Sequence, residues 1–124
     1  MSDIKSILIV EDDKWLAEQY ARVLSTAGYK TIVRLNAIDA MHAIDDKLPD
    51  AIILDVLLTG STAFTLLHEL QSYSDTGLIP IILCTSLAGD LSINDLGSYG
   101  VKQIIDKTTM IPDDLTTALR RILL

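Results

Sequence analysis

Four apolar runs in this chain lead into polar residues of kinds that do chemistry together. ILIV (Ile7 to Val10) runs into Glu11, Asp12 and Asp13; AIIL leads to Asp55; IPIILC passes into Thr85 and Ser86; VKQII ends in Asp106 and Lys107. If Glu11, Asp12 and Asp55 converge, two carboxylates about 4 Å apart repel by roughly 4 kcal/mol at an effective dielectric near 20. That is about three pKa units, so the cluster stays ionised at neutral pH only beside a cation. Hard oxygen ligands with no His or Cys nearby favour Mg²⁺ or Mn²⁺ over Zn²⁺. Lys107 would supply a fixed positive charge, paired with Asp55 at rest and with phosphoryl oxygens after transfer, and Thr85 a hydroxyl donor. A carboxylate nucleophile, a divalent metal, an ammonium and a hydroxyl are what phosphoryl transfer to an aspartate requires.

Such residues converge only if the chain folds to bring them to one edge. The apolar runs at Ile7 to Val10, Tyr29 to Leu35, Ala51 to Leu58, Ile79 to Cys84 and Val101 to Ile105 are strand-sized. Helical spacing fills the intervals: Asp13 to Ala27, with Leu16, Tyr20, Val23, Leu24 and Ala27 on one side, then Ala37 to Lys47, about Thr62 to Ser72, about Leu87 to Tyr99, and Asp113 to Leu123 after Pro112. Asp13 is placed to cap the first helix and Gly28 to close it. Five strand and helix units in alternation predict an α/β fold, a single doubly wound (βα)5 domain over residues 1–124 with a parallel sheet. In such sheets ligands gather at the carboxyl ends of the strands, where the polar residues above fall.

Composition excludes other classes. With 49% apolar and 22% charged residues the 124-residue chain is a packed domain, and its net charge of −7 argues against direct nucleic-acid binding. The lone Cys84 excludes an internal disulfide and reads as a buried, inert thiol. No apolar run approaches the ~20 residues that cross a bilayer, so the expectation is a cytoplasmic protein without membrane contact.

ILIVEDD, AIILDVLL, IILCTS and IIDK, in that order, resemble the four motifs of bacterial two-component receiver domains, and the likeness runs over essentially the whole chain. The resemblance implies a flavodoxin-like fold of strand order 2-1-3-4-5. It also implies a phosphoacceptor rather than a turnover enzyme, supplied by a histidine kinase or histidine phosphotransferase and read by a downstream protein. By position, Asp55 would accept the phosphoryl group, and Asp12, Asp55 and the backbone carbonyl of Leu57 would ligate Mg²⁺. Glu11 would assist through water, while Thr85 and Lys107 would bind the phosphoryl group.

Several positions depart from that pattern. Thr59 stands for the usual proline after the acceptor, and Ala63 for the usual glycine. Thr108 follows the lysine where a cis proline is usual; a cis bond there would cost about 2.5 to 4 kcal/mol, so a trans bond or altered turn is expected. Ser86 is a mild change from the usual small residue. Ile104 replaces the aromatic residue that swings inward on phosphorylation, which suggests signalling through the loop after Thr85 without an aromatic toggle.

Blander roles fit other residues. Asp13 reads as a helix cap before a metal ligand, and His42 and His68 as exposed structural residues. Trp15, Gln19 and Arg22 share a stripe of the first helix, either a partner face or, for Trp15, local packing. A phosphatase using an Asp-x-Asp pattern after its first strand is disfavoured by Glu11 at the nucleophile's place. The acids there, in place of a glycine-rich turn, leave no dinucleotide or other organic cofactor site. The serious rival is a pseudo-receiver, an interaction module independent of phosphorylation.

Overall fold

In the computed structural model, which describes residues 3–56, 63–86 and 88–123, the predicted alternation is present. The elements are β1 (Ser6–Val10), α1 (Lys14–Thr26), β2 (Lys30–Arg34), α2 (Ala37–Asp46), β3 (Ala51–Leu54), α3 (Ala63–Gln71), β4 (Ile81–Thr85), α4 (Ile93–Leu96), β5 (Val101–Asp106) and α5 (Pro112–Ile122). The strands form one parallel sheet in the order β2-β1-β3-β4-β5, a flavodoxin-like α/β fold.

Alternation along each strand divides the core in two, because successive side chains point to opposite faces. Leu8, Val10, Ile52, Leu54, Ile81 and Leu83 face α2 and α3, packing with Ala40, Ile44, Leu66, Leu67 and Leu70. Ile7, Ile9, Ile53, Ile82, Cys84 and Ile105 face α1 and α5, packing with Ala17, Tyr20, Leu24, Leu115 and Leu119. Burial on both faces is why β1, β3 and β4 read as continuous apolar runs.

Caps set the helix starts that matter for the site. The Asp13 carboxylate accepts from the Leu16 amide at 3.1 Å, and Asn36 accepts from Asp39 at 2.8 Å at the head of α2. Pro112 opens α5, where its missing N–H costs nothing, and Asp114 accepts from the Ile111 amide at 2.9 Å. Gly28, at φ 100°, takes the left-handed conformation that ends α1 and turns the chain into β2.

Three expectations are corrected. On α1, Ala27 is exposed and Ala17 holds the centre of the buried face, while Leu16 and Val23 are half-buried. The helix expected from about Leu87 to Tyr99 is a four-residue α4 flanked by 3₁₀ turns at Ala88–Asp90 and Gly97–Tyr99. Ser92 caps α4, and Gly97 and Gly100 close it early. The third strand ends at Leu54 instead of reaching Leu58; Leu57, Thr59 and the start of the predicted third helix at Thr62 lie outside the described residues. No described helix is long and apolar enough to cross a membrane.

Candidate functional site

The hydrogen-bond ladder runs one residue past three strands and holds the polar residue at the end of each. The Glu11 amide donates to Arg34 O at 3.1 Å, the Asp55 amide to Val10 O at 3.0 Å, and the Lys107 amide to Thr85 O at 3.0 Å. Because the strands are parallel, Glu11, Asp55, Thr85 and Lys107 arrive at one edge with their backbones already held. This is pre-organisation by sheet pairing.

Glu11, Asp12 and Asp55 each present a carboxylate oxygen within 4.8 Å of the others. Glu11 is 2% exposed and Asp55 6%, whereas Asp12 is open to solvent. Lys107 lies across the two buried acids. Its Nζ donates to Glu11 Oε1 and sits 3.2 Å from Asp55 Oδ2. Sequence spacing anticipated the Asp55 contact but not the tighter one to Glu11. The only available signal was that Glu and Lys end strands on either side of β3 and that Glu is one methylene longer than Asp.

Charge counting defines which ion the site suits. Three carboxylates against one ammonium leave a formal −2, which a divalent cation on oxygen donors would neutralise, so the residues fit Mg²⁺ or Mn²⁺. The same crowding of buried acids favours a proton on the cluster. Burial raises the Glu11 carboxyl to about 7, helped by the Asp55 charge and opposed by hydrogen bonds from Lys107 and the Asp13 amide. Burial alone would lower the Lys107 pKa, but the Glu11 hydrogen bond and the two acid charges outweigh it, and the ammonium is held above its ordinary value.

The remaining predicted residues fall around this cluster. Thr85 is 0% exposed at the end of β4, so its hydroxyl lies beneath the surface. Asp106 turns away to accept from the Thr108 amide at 2.9 Å and Thr108 Oγ1 at 2.6 Å, and these bonds lower its pKa. The Lys107–Thr108 bond is trans. Asp13 serves as the helix cap. The Leu57 carbonyl lies outside the described residues.

Beneath the acids, the Tyr20 hydroxyl contacts Cys84 Sγ at 3.5 Å, and Cys84 Sγ lies 3.3 Å from Met110 Sδ. Burial pushes both the Cys84 thiol and the Tyr20 phenol up, so both stay neutral. This polar contact inside the core was not foreseen, since Tyr20 read only as a core residue. Trp15, 68% exposed, and half-buried Gln19 line a groove of about 320 Å³ between α1 and α5 that Lys107, Met110 and Ile111 complete. Arg22 is exposed on α1 and is not part of that groove. His42 and His68 are exposed, and His68 Nε2 lies 3.3 Å from the Tyr99 hydroxyl.

Residues 7–120 match the family model described as response regulator receiver domain. The chain belongs to that family, whose members are signalling phosphoacceptors rather than turnover enzymes. The polar-differentiation response regulator DivK of Brucella anthropi is 25% identical over 113 residues, 91% of this chain and 92% of that protein. PhoB, the phosphate regulon transcriptional regulatory protein of Pseudomonas aeruginosa, is 38% identical over 82 residues, which are 66% of this chain but 36% of PhoB. The chain thus spans about a third of the length of several curated relatives that it matches. Among solved structures, the signal receiver domain of a signal transduction histidine kinase from Syntrophus aciditrophicus superposes with a TM-score of 0.81 at 30% identity, over 96% of this chain and 89% of that one.

Proposed function

We propose that this receiver domain accepts a phosphoryl group on Asp55 from the phosphohistidine of a histidine kinase or histidine phosphotransferase. The supporting observation is the placement of Asp55 next to two further carboxylates and 3.2 Å from the Lys107 ammonium. In the transfer the donor's N–P bond breaks, an Asp55 oxygen forms the new O–P bond, and the imidazole leaves neutral after taking up a proton. Asp12, Asp55 and the Leu57 carbonyl would hold Mg²⁺, with Glu11 acting through water, and the ion when bound would neutralise charge on the phosphoryl oxygens. Lys107 then exchanges part of its pairing with Asp55 for the phosphoryl group.

Thr85 would donate its hydroxyl to the same group. Because it is fully covered, that bond would require a movement over Thr85, which this reading assigns to the segment after β4. Signalling would come from that shift, since Ile104 carries no hydroxyl and is packed against the α2 and α3 core. Trp15, Gln19 and Arg22 would meet the donor protein, whose apolar contacts the groove beside Lys107 would receive. A donor that draws its phosphoryl group from ATP would have the domain act in the cytoplasm.

The test is incubation with acetyl phosphate and Mg²⁺ and then intact mass. One added phosphoryl group, lost in Asp55→Asn and on chelation, is expected. A folded protein that stays unmodified would make the pseudo-receiver the better account, and constitutive binding partners the object of search.

A further inference from the structure

The pole of the sheet opposite Asp55 carries an arrangement that phosphoryl acceptance does not use. Residues just before β1, at the start of β5 and in the last turn of α5 surround an open hollow of about 600 Å³. Lys5, Lys102 and Arg121 line it together with Leu78, Pro80 and Asp50. The three cations come from distant parts of the sequence and meet only in the fold. Among the described residues Lys107 alone forms ion pairs, so none of the three is neutralised by a carboxylate. The one acid in the lining, Asp50, is occupied by the Ser6 amide at 2.7 Å.

Two further features set this hollow apart from an ordinary solvated surface. Leu78 is 84% exposed, more than any other large apolar side chain among the described residues. Lys102 falls where β5 slips its register on β4: Ile81 pairs with Val101 and Ile82 with Gln103, which leaves Lys102 unpaired and turned outward. The dipole of α5 accounts for an arginine at its C-terminus. It accounts for neither Lys5 nor Lys102.

We propose that this pole docks an acidic peptide segment of a partner protein, its carboxylates on Lys5, Lys102 and Arg121 and an aliphatic side chain against Leu78 and Pro80. An acidic partner is not repelled by the phosphoacceptor cluster, because a five-residue strand spans about 17 Å and the Debye length at physiological salt is about 8 Å. A membrane is the weaker occupant. Three cations contribute only about 1 kcal/mol each at an anionic surface, and one exposed leucine adds little insertion. Docking here would leave the Asp55 edge open, so a partner could stay bound while phosphoryl groups come and go.

The experiment is an amide-shift titration of the ¹⁵N-labelled chain with a hexapeptide of alternating glutamate and leucine, and with the same peptide carrying serine for leucine. Saturable shifts confined to residues 4–6, 78–80, 101–103 and 119–123 are expected. The paired substitution Lys5→Glu with Lys102→Glu should weaken binding by about tenfold or more. Both lysines reach solvent, so the variant should unfold at nearly the wild-type temperature, and Asp55→Asn should bind the peptide as wild type does. Shifts spread elsewhere, unchanged binding by the paired variant, or equal binding of the serine peptide would each overturn the proposal. Retention of the chain on phosphatidylserine vesicles with no response to the leucine peptide would overturn it in favour of a membrane.

Discussion

Replacing Lys107 by Met removes the cation set against Glu11 and Asp55 while keeping most of the side-chain volume. The gross attraction across the 3.2 Å gap to Asp55 is about 5 kcal/mol at an effective dielectric of 20. Unpairing a buried charge costs about 3 to 5 kcal/mol net, and with Lys107 18% exposed the loss at pH 8 should fall near 3 kcal/mol. The cost depends on pH through Glu11. Its native pKa of about 7 lies above the ordinary 4.5, so the stability that its proton lends is complete below 4.5 and is lost as pH rises through 7. Without Lys107 its hydrogen bond and its charge no longer hold this pKa down, the Asp13 amide alone remains, and the pKa climbs further. At pH 5.5 Glu11 is protonated in both proteins, which leaves mainly the loss at Asp55, about 1 to 1.5 kcal/mol. Urea unfolding with chelator at the two pH values should therefore give penalties differing by about 1.5 kcal/mol, the most that a Glu11 titration near 7 allows at pH 8. At pH 8, Mg²⁺ should stabilise the variant more than the wild type. Equal penalties at both pH values with no extra gain from Mg²⁺ would mean that the carboxylates do not feel one another, and the charge argument for the metal would fail.

Other perturbations separate chemistry from scaffold. Asp12→Asn should weaken Mg²⁺ binding by about tenfold or more, measured by calorimetry, with little change in stability because Asp12 is exposed. Wild-type Mg²⁺ affinity should fall as pH drops below 7, where Glu11 holds its proton, and level off above it. Leu67→Ala, at a site with no exposure, should cost about 2 to 5 kcal/mol in denaturant yet leave labelling of the folded fraction by acetyl phosphate intact. Trp15→Ala should slow transfer from the cognate protein donor and spare small phosphodonors; equal slowing of both would assign Trp15 a structural role.

The strands β1, β3 and β4 were legible because burial on both faces leaves a plain apolar run, and the polar residues that follow them then marked the edge where the carboxylates meet. Asp13 and Gly28 identified the ends of α1 through cap chemistry that acts locally. What sequence reading missed depends on distance across the fold. The preference of Lys107 for Glu11 is decided by how far the lysine side chain reaches from the end of β5, across β4 and β3, toward the end of β1. The sulfur and phenol contact among Tyr20, Cys84 and Met110 joins three segments that no short window contains. The fourth helix was overestimated because Leu91, Leu96 and Tyr99 pack against the core at the apolar spacing of a helix, although Leu91 follows a 3₁₀ turn, Leu96 ends a single α turn and Tyr99 ends a second 3₁₀ turn.

The slip at Lys102 has a bearing on the opposite end of the same strand. Strand residues alternate between two faces, so counting from Val101, which belongs to the α2 and α3 core, an unbroken strand would send Ile105 to that same core and Ile104 to the other. The extra residue reverses the parity: Ile104 pairs with Leu83, Ile105 with Cys84, and each joins the core of its partner. Two residues beyond Ile105, the same half-turn delivers Lys107 to Glu11 and Asp55. Deleting Lys102 alone would close the slip and leave Ile104, Ile105 and Lys107 on their present faces; a straight strand that kept Lys102 would instead act like a miscounted stitch, inverting every later side chain of β5 and taking the ammonium away from the acids without touching a residue of the site.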